Sequence, residues 1–600
     1  MSQVGDLPAY TADQFALVEP PECDVIMKGG VTSGVVYPYA VLEIATKYRF
    51  RSLGGTSAGA IAAAFAAAAE YGRQNGRPES FLALKHYCDE LPAILPTLFQ
   101  PSPELKPALD SLMDAMKAGS PAAIIREGLR ASVGWAVLGA LVLALPGFLA
   151  VGFLPFQAVL VSLYALLLGL AAGGAAGLAW GVYRWARRKY IDPVRAFVAR
   201  FAEHNFGFCT GLTQPGNTGP AVTDWLHRAL QHIAFGNPDH PQPLTFGNLW
   251  GGDPEHPVID LKVVTTNLSM RRPHTLPRMG VTSGFRPADW QRLFPAGVMG
   301  YLQSVSRAWQ EDPESLLFPK QADVPVLVAV RMSLSFPLLF SAVPMRIEDV
   351  ELPSIVRRLG GDAPTQVRTV HFSDGGISSN FPIHMFDAPL PRRPTFAFSL
   401  EDLLWSADEV KDRVALPEGA EHGMGVQIAQ IGSLTDFGWS ILNSAKDWQD
   451  QLLSEITGQR ERIARIYLTK NEGGLNLNMS AETSRALMFW GYEAGKKFKE
   501  GGLDFDEHKW RRLLALYQNL RSYLLRANTV WSKGYAEWYE SYLRDTETYN
   551  ALSLTDKRRI KADLDALFEI CSVFEAEPSI RNPDDKFPRK TGMLKISPKY

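Results

Sequence analysis

The chain has 600 residues, of which 46% are hydrophobic and 21% charged, a composition typical of folded globular proteins and unlike that of disordered ones. Its 61 basic and 63 acidic side chains give a net charge of −2, so no overall basic field favours a nucleic-acid partner. The four cysteines lie far apart, which argues against a disulfide framework or a zinc ladder and fits a reducing compartment.

The first part of the chain alternates between short apolar runs, glycine loops and helical patterns. Residues 1–22 form a leader without a basic segment followed by an apolar one, so we expect no cleaved signal peptide. The runs 23–27 and 50–53 are typical of buried strands, and 37–48 and 60–71 carry helical patterns. This alternation predicts an α/β fold with parallel strands.

The segment 131–183 contains no Asp, Glu, Lys or Arg. Its two halves, 131–151 and 157–183, are each long enough to cross a hydrocarbon core, and the break between them falls at 152–155. Basic residues flank both ends: Arg126 and Arg130 before it, and Arg184, Arg187, Arg188 and Lys189 after it. The pattern predicts a transmembrane hairpin with both ends cytoplasmic. The alternative is a helical hairpin buried in a soluble core.

The remaining elements follow from shorter patterns. We expect a helix over 222–235 and strands over 258–267, 324–330 and 367–372. From 402 onward the patterns are mostly helical, over 439–456, 481–498, 509–532 and 556–574, and 575–600 is a polar tail. We therefore divide the chain into a leader, an α/β domain over 23–387 that carries the apolar insertion, a helical region over 388–574 and the tail.

The pentapeptide Gly55-Thr56-Ser57-Ala58-Gly59 has the form G-x-S-x-G and lies between a predicted strand and a small-residue helix. In that context the serine occupies a strained strand-to-helix turn with its Oγ directed away from the sheet. Glycines flank it because the turn packs backbone against backbone. The pattern predicts Ser57 as a nucleophile.

A nucleophilic serine requires a base. Asp374 follows the predicted strand 367–372 and precedes Gly375 and Gly376, so we expect it at a strand end, where open α/β sheets place ligands. A histidine triad is the alternative, with His384, His422 or His508 as its histidine.

Gly29 and Gly30 follow the first predicted strand and are suited to offer backbone N–H groups to an oxyanion. The competing interpretation is a phosphate loop. It lacks both a Gly-Lys-Ser/Thr ending and a G-x-G-x-x-G pattern, so nucleotide binding is disfavoured.

The glycine loop, the G-x-S-x-G elbow and the distant Asp-Gly-Gly, in this order, resemble the patatin-like phospholipase family. Two further stretches are similar to segments of that family, 243–246 with 259–267, and 331–337 through 340. The resemblance covers 24–385 and implies a three-layer fold with a mostly parallel sheet. It also implies a lipid acyl hydrolase with a Ser57–Asp374 dyad, an oxyanion hole at Gly29, Gly30 and Val31, and neither cofactor nor metal.

The loop departs from the family pattern G-G-G-x-R/K-G, because Val31 replaces the third glycine and Ser33 the basic residue. From the apolar hairpin and its flanking basic residues we expect a membrane-associated protein whose catalytic domain is cytoplasmic. The resemblance implies that its substrates are phospholipids or other acyl esters. The alternatives are a non-catalytic lipid-binding scaffold on the same fold and a soluble serine esterase with a histidine triad.

Overall fold

The computed structural model describes residues 5–30, 32–117, 121–151, 156–404, 410, 412–417, 428, 430–456, 458–469, 472–473, 479–545 and 553–576. The strands are β1 (Glu22–Met27), β2 (Arg49–Thr56), β3 (Gly207–Cys209), β4 (Asp260–Asn267), β5 (Arg272–Leu276), β6 (Ser283–Phe285), β7 (Leu316–Leu317), β8 (Leu338–Phe340), β9 (Val343–Asp349), β10 (Gln366–Asp374), β11 (Thr395–Asp402), β12 (Val414–Ala415) and β13 (Ile463–Leu468).

The helices of the first half are α1 (Tyr37–Ala45), α2 (Ala58–Gln74), α3 (Ser80–Leu98), α4 (Lys106–Lys117), α5 (Pro121–Ala131), α6 (Val133–Val151), α7 (Phe156–Ala186), α8 (Asp192–Arg200), α9 (Val222–Phe235), α10 (Phe246–Trp250), α11 (Pro287–Trp290) and α12 (Ala296–Val305). Those of the second half are α13 (Val326–Ser333), α14 (Glu351–Arg358), α15 (Leu434–Glu455), α16 (Ala481–Lys499), α17 (Phe505–Val530), α18 (Ala536–Asp545) and α19 (Leu554–Ala576).

The fold is a mixed α/β architecture around a central, mostly parallel sheet. The strand order is β12-β13-β11-β1-β2-β4-β10-β9-β6-β7, and β5 pairs with β4 beside this path. The five strands β13, β11, β1, β2 and β4 run parallel, as the alternation of strand and helix in the sequence predicts. The alanine-rich α2 is buried along most of its length, because its small side chains let it pack closely against the sheet.

One sequence-based prediction of secondary structure was wrong, and one region contains strands that the sequence did not predict. Residues 324–330 were expected to form a strand, but 326–333 form the buried helix α13. A short apolar run rich in valine does not show by its periodicity whether it is a buried strand or a buried helix, and here the packing against β4 and β10 decides. The four helices predicted after 402 are present as α15, α16, α17 and α19, but the region after 387 also supplies three strands that were not predicted, β11, β12 and β13, to the main sheet.

The chain divides into two compact units. The first comprises Met1–Pro96, Trp225–Ser335 and Pro344–Tyr600 and contains the main sheet. The second comprises Thr97–Asp224 and Phe336–Val343 and contains the short parallel pair β3–β8 together with α4 to α8.

Within the second unit, α6 and α7 pack against each other in antiparallel orientation through glycines. A Cβ atom on Gly173 would lie 2.2 Å from the carbonyl oxygen of Gly139, and one on Gly177 would lie 2.1 Å from that of Trp135. The outer faces of the two helices expose large apolar side chains, among them Leu141, Leu160, Val161, Tyr164 and Leu167.

Among the described residues, one helix is long and apolar enough to cross a membrane, Leu160–Ala196. A second span is counted only if Ile125–Ala131 and Val133–Pro146, which are bent by 50° relative to each other, form one broken span. The predicted break at 152–155 lies outside the described residues. A two-span hairpin is therefore not shown, although its second half matches the spanning helix.

Candidate active site

Ser57 joins β2 to α2 in a backbone conformation that residues other than glycine rarely adopt, with φ 53° and ψ −125°. Such a conformation costs about 1–3 kcal/mol for a residue other than glycine and persists only where its surroundings enforce it. The two flanking glycines are required by space: a Cβ on Gly59 would lie 2.4 Å from the Met27 carbonyl oxygen, and one on Gly55 would lie 2.5 Å from the Gly59 carbonyl carbon. The elbow predicted from the sequence is thus a strained turn packed directly on β1.

The glycine loop after β1 lies against the start of α2. A Cβ on Gly34 would come within 2.4 Å of the Ala58 Cβ. The Gly29 N–H is already donated to the Asn380 carbonyl oxygen at 2.8 Å. By contrast, the N–H groups of Gly30 and Ala58 have no acceptor among the described residues. Val31 lies outside those residues.

Asp374 ends β10 and is 4% exposed. Its N–H is donated to the Ser335 carbonyl oxygen at 2.9 Å, its carbonyl oxygen accepts the Thr266 hydroxyl at 2.8 Å, and its Oδ1 accepts the Gly376 N–H at 2.7 Å. The aspartate therefore sits in a backbone position fixed from several sides.

Asp374 lies at the end of a strand, as the sequence predicts, but this strand is antiparallel to its neighbour rather than parallel. β10 runs antiparallel to β4, so its carboxyl end does not point toward the same sheet edge as that of β2. The register nevertheless places Ser57 and Asp374 at about the same position along β4. Thr56, the residue before Ser57, pairs with Val264, and Asp374 pairs with the next residue of β4, Thr265.

Ser57 follows β2 and Asp374 ends β10, the two strands that flank β4, so their backbones are separated by two strand spacings, about 10 Å. The turn after Asp374 reaches across part of this gap, since a Cβ on Gly375 would lie 3.2 Å from Thr56 Cγ2. The Ser57 hydroxyl forms no hydrogen bond within the described part of the chain, and its residue is 3% exposed. Ser57 and Asp374 thus lie at about the same position along β4 without a direct hydrogen bond between them. Hydrogen bonds between catalytic groups are often long in structures without a ligand, so their absence does not argue against a pair.

The end of α13 contributes contacts to both residues. Ser333 Oγ accepts the Ser57 N–H at 2.9 Å, and the Ser335 carbonyl oxygen accepts both the Asp374 N–H and, at 2.8 Å, the Ser373 hydroxyl. Sequence reasoning singled out 331–337 only through the family resemblance and assigned it no role. Two serines, Ser333 at the end of α13 and Ser335 two residues later, are too common a pattern to predict these contacts.

Neither of the two candidate histidines in the described part of the chain forms a hydrogen bond with Ser57. His384 lies exposed on the 3-10 turn Ile383–Phe386. His508 is buried with its Nδ1 3.2 Å from Glu461. His422 lies outside the described residues.

Lys28 is a basic residue at the glycine loop that sequence reasoning overlooked. It directly precedes Gly29, and its Nζ is 3.0 Å from the Leu400 carbonyl oxygen and 3.3 Å from Glu401 Oε1. Burial by itself lowers the pKa of Lys28, but Glu401 and the carboxylates of α15 outweigh that effect and leave the pKa raised. The loop is therefore anchored by an ion pair at its first residue, although Ser33 replaces the basic residue of the family pattern.

The chain is 35% identical over 571 residues to a protein of Rhizobium meliloti (strain 1021) named RpoH suppressor, over 84% of this chain and 86% of that protein. The chain belongs to the RpoH suppressor family. The family name states no chemical activity. No family model matches the chain.

Among solved structures, the crystal structure of VipD from Legionella pneumophila is similar to this member of the RpoH suppressor family with a TM-score of 0.29 at 13% identity, covering 94% of this chain and 89% of that one. A TM-score this low does not establish a shared fold.

Proposed function

We propose that this member of the RpoH suppressor family is a membrane-associated lipid acyl hydrolase of the patatin-like kind, with Ser57 as nucleophile and Asp374 as base. The observation that carries the proposal is the strained backbone of Ser57 inside a G-x-S-x-G elbow, at the N-terminus of the 17-residue helix α2. Strain of this kind at a serine is typical of nucleophile elbows. The helix N-terminus favours the negative charge that develops during acyl transfer.

In the proposed mechanism, Asp374 accepts the Ser57 proton as Oγ attacks the ester carbonyl carbon. The N–H groups of Gly30 and Ala58 are the best-suited oxyanion donors, because they have no acceptor among the described residues, whereas the Gly29 N–H is engaged by Asn380. The alcohol leaves with a proton from Asp374 and an acyl-enzyme forms on Ser57. Water, deprotonated by Asp374, then releases the fatty acid.

The experiment is ester hydrolysis by purified wild type, Ser57→Ala, Asp374→Asn and the double variant. Each single variant should lose about 10⁴-fold or more in kcat, and the double variant should be little worse, because a nucleophile and its base act as one unit. Ser304→Ala is the matched control, since that hydroxyl is exposed and bonds only to the Tyr301 carbonyl oxygen. Retained hydrolysis in Ser57→Ala would sink the assignment, and additive losses would remove Asp374 from the pair.

A second candidate is a non-catalytic lipid-binding scaffold. It is favoured by one observation: Ser57 as a residue is 3% exposed, and its hydroxyl forms no hydrogen bond among the described residues. A fluorophosphonate probe distinguishes the two candidates, because it labels only an activated serine. Labelling of wild type, absent in Ser57→Ala, supports the hydrolase; absence of labelling in detergent micelles and in lipid vesicles supports the scaffold.

We further propose that α6 and α7 insert into the bilayer as a hairpin and hold the catalytic unit at its substrate. The support is the set of exposed apolar side chains on both helices, which requires cover by lipid or by another protein. The basic cluster after α7 is partly neutralised, since Lys189 lies 2.7 Å from Glu127 and 3.2 Å from Asp114. Attraction to anionic lipid should therefore be weaker than the number of basic residues suggests.

Membrane insertion is tested by alkaline carbonate washing of full-length protein and of a variant with 131–183 replaced by a short Gly/Ser linker. Full-length protein should stay with the membrane and the deletion should not. Release of full-length protein by carbonate would contradict insertion. Aggregation of the deletion variant with loss of its fold would instead favour burial of the hairpin within the protein.

A further inference from the structure

The segment after Asp374 connects the glycine loop, the elbow and the Asp374 turn through one peptide group, that of Asn380. The Asn380 carbonyl oxygen accepts the Gly29 N–H at 2.8 Å and the Thr56 hydroxyl at 2.9 Å. The Asn380 side chain fills the space beside two glycines, since a Cβ on Gly29 would lie 2.4 Å from its Oδ1 and one on Gly376 would lie 2.8 Å from it. The position of Asn380 therefore sets the glycine loop and the residue before Ser57 relative to the Asp374 turn.

Asn380 is held in turn by α15, a helix outside the stretch that resembles the patatin-like family. Asp450 Oδ2 accepts the Asn380 N–H at 2.5 Å and the Phe381 N–H at 2.8 Å, and Asp450 Oδ1 accepts the Ser379 hydroxyl at 3.2 Å. Asp447, three residues earlier, accepts the Asn380 side-chain amide at 3.3 Å. One carboxylate thus fixes three consecutive residues.

The helix is itself anchored close to these contacts. Leu453 of α15 packs against a buried cluster of Ile26, Phe381, Ile383, Ala397 and Ile463, which joins β1, β11 and β13. Burial raises the pKa of Asp450, and the hydrogen bonds from Phe381, Asn380 and Ser379 oppose that rise because they favour the charged form. Removing the Asp450 carboxylate should destabilise this region, because the backbone N–H groups of Asn380 and Phe381 would lose their acceptor.

We infer that Asp450 is a positioning residue: it holds the Asn380 peptide, and through that peptide it sets the glycine loop and Thr56 at the geometry that acyl transfer requires. The effect on catalysis rests on the proposed hydrolase function. The hydrogen bonds from residues 379–381 to Asp450, which we call the clamp, do not. The C-terminal region is then part of the site's support, although no residue of it need touch the substrate.

The test compares Asp450→Ala, Asp450→Asn and the control Glu455→Ala, which removes an exposed carboxylate from the last turn of the same helix. Misplacing reactive groups by about 1 Å can cost about 100-fold in rate. We expect kcat to fall about 100-fold in Asp450→Ala and about 10-fold in Asp450→Asn, which keeps an oxygen acceptor, with KM unchanged in both. Glu455→Ala should behave as wild type.

Amide hydrogen exchange provides a readout that is independent of turnover, measured in a Ser57→Ala background. Asp450→Ala should speed exchange at 379–381 and leave the strands of the main sheet protected. Equal kcat for Asp450→Ala and Glu455→Ala would overturn the proposal, as would a loss of protection spread over the whole sheet. If wild type hydrolyses no ester, the proposed function fails, and the exchange at 379–381 alone then decides whether the clamp exists.

Discussion

The close packing of the elbow on β1 leads to a specific prediction for Gly59. An alanine Cβ at this position would lie 2.4 Å from the Met27 carbonyl oxygen and 2.8 Å from the Lys28 carbonyl oxygen. Both obstacles are backbone atoms at the end of β1, a strand paired on both sides, so neither can turn aside as a flexible side chain could. β1 and α2 must therefore separate by several tenths of an ångström or more.

Overpacking of this kind costs about 1–3 kcal/mol, and a rigid backbone obstacle places Gly59→Ala near the upper end of that range. The same displacement moves Ser57, two residues away, relative to the proposed oxyanion donors, so kcat for the proposed ester hydrolysis should fall by about 100-fold. Urea unfolding followed by tryptophan fluorescence, in one detergent throughout, gives the stability change, and ester hydrolysis gives the rate.

Gly300→Ala in α12 is the matched control, because a Cβ at Gly300 meets no atom within 4 Å. There the substitution should be neutral or stabilise the protein by about 0.5–1 kcal/mol, since alanine is the better helix former. A Gly59→Ala variant as stable and as active as the control would refute the close packing of the elbow on β1.

Two further predictions concern the parts that support this site. Gly491→Ala should destabilise the protein by about 2 kcal/mol or more, because its Cβ would lie 1.8 Å from the Val36 carbonyl oxygen, whereas Gly438→Ala, whose Cβ meets nothing, should not; equal unfolding midpoints would contradict this. Burial raises the pKa of Glu401, but Lys28 and a neighbouring hydroxyl outweigh it and leave that pKa lowered. A carboxyl whose pKa is lower in the folded state stabilises the fold above its ordinary pKa, and this stabilisation is lost as the pH falls through its folded-state pKa. The free energy of unfolding of Glu401→Gln should therefore fall less on acidification than that of wild type. Identical dependence of the unfolding free energy on pH would refute this.

The sequence was informative where the signal is local. The elbow, β1, β2 and α2 could be predicted because an apolar run, a glycine turn and an alanine-rich helix follow one another within a few dozen residues. Asp374 was found by its strand context, but the direction of β10 was not, since pairing with β4 is a property of the whole sheet.

Contacts between distant segments left no such signal. Ser333 and Asp450 reach the site from α13 and α15, and nothing in their own neighbourhoods distinguishes them from other serines and aspartates. β11 and β13 were taken as parts of a helical region because each is a short run flanked by loops or helices. They become strands by pairing next to β1, hundreds of residues away.

The strand order also constrains the order in which the protein can fold during synthesis. β1 and β2 leave the ribosome first, yet their outer neighbours are β4, which begins at Asp260, and β11, which ends at Asp402. α6 and α7 emerge before either neighbour has been translated. Since a structural unit folds only when its elements are available, both apolar helices are complete in the nascent chain while the sheet is still incomplete. The strained turn at Ser57, which packs against the end of β1, can therefore reach its final surroundings only after α6 and α7 have been made.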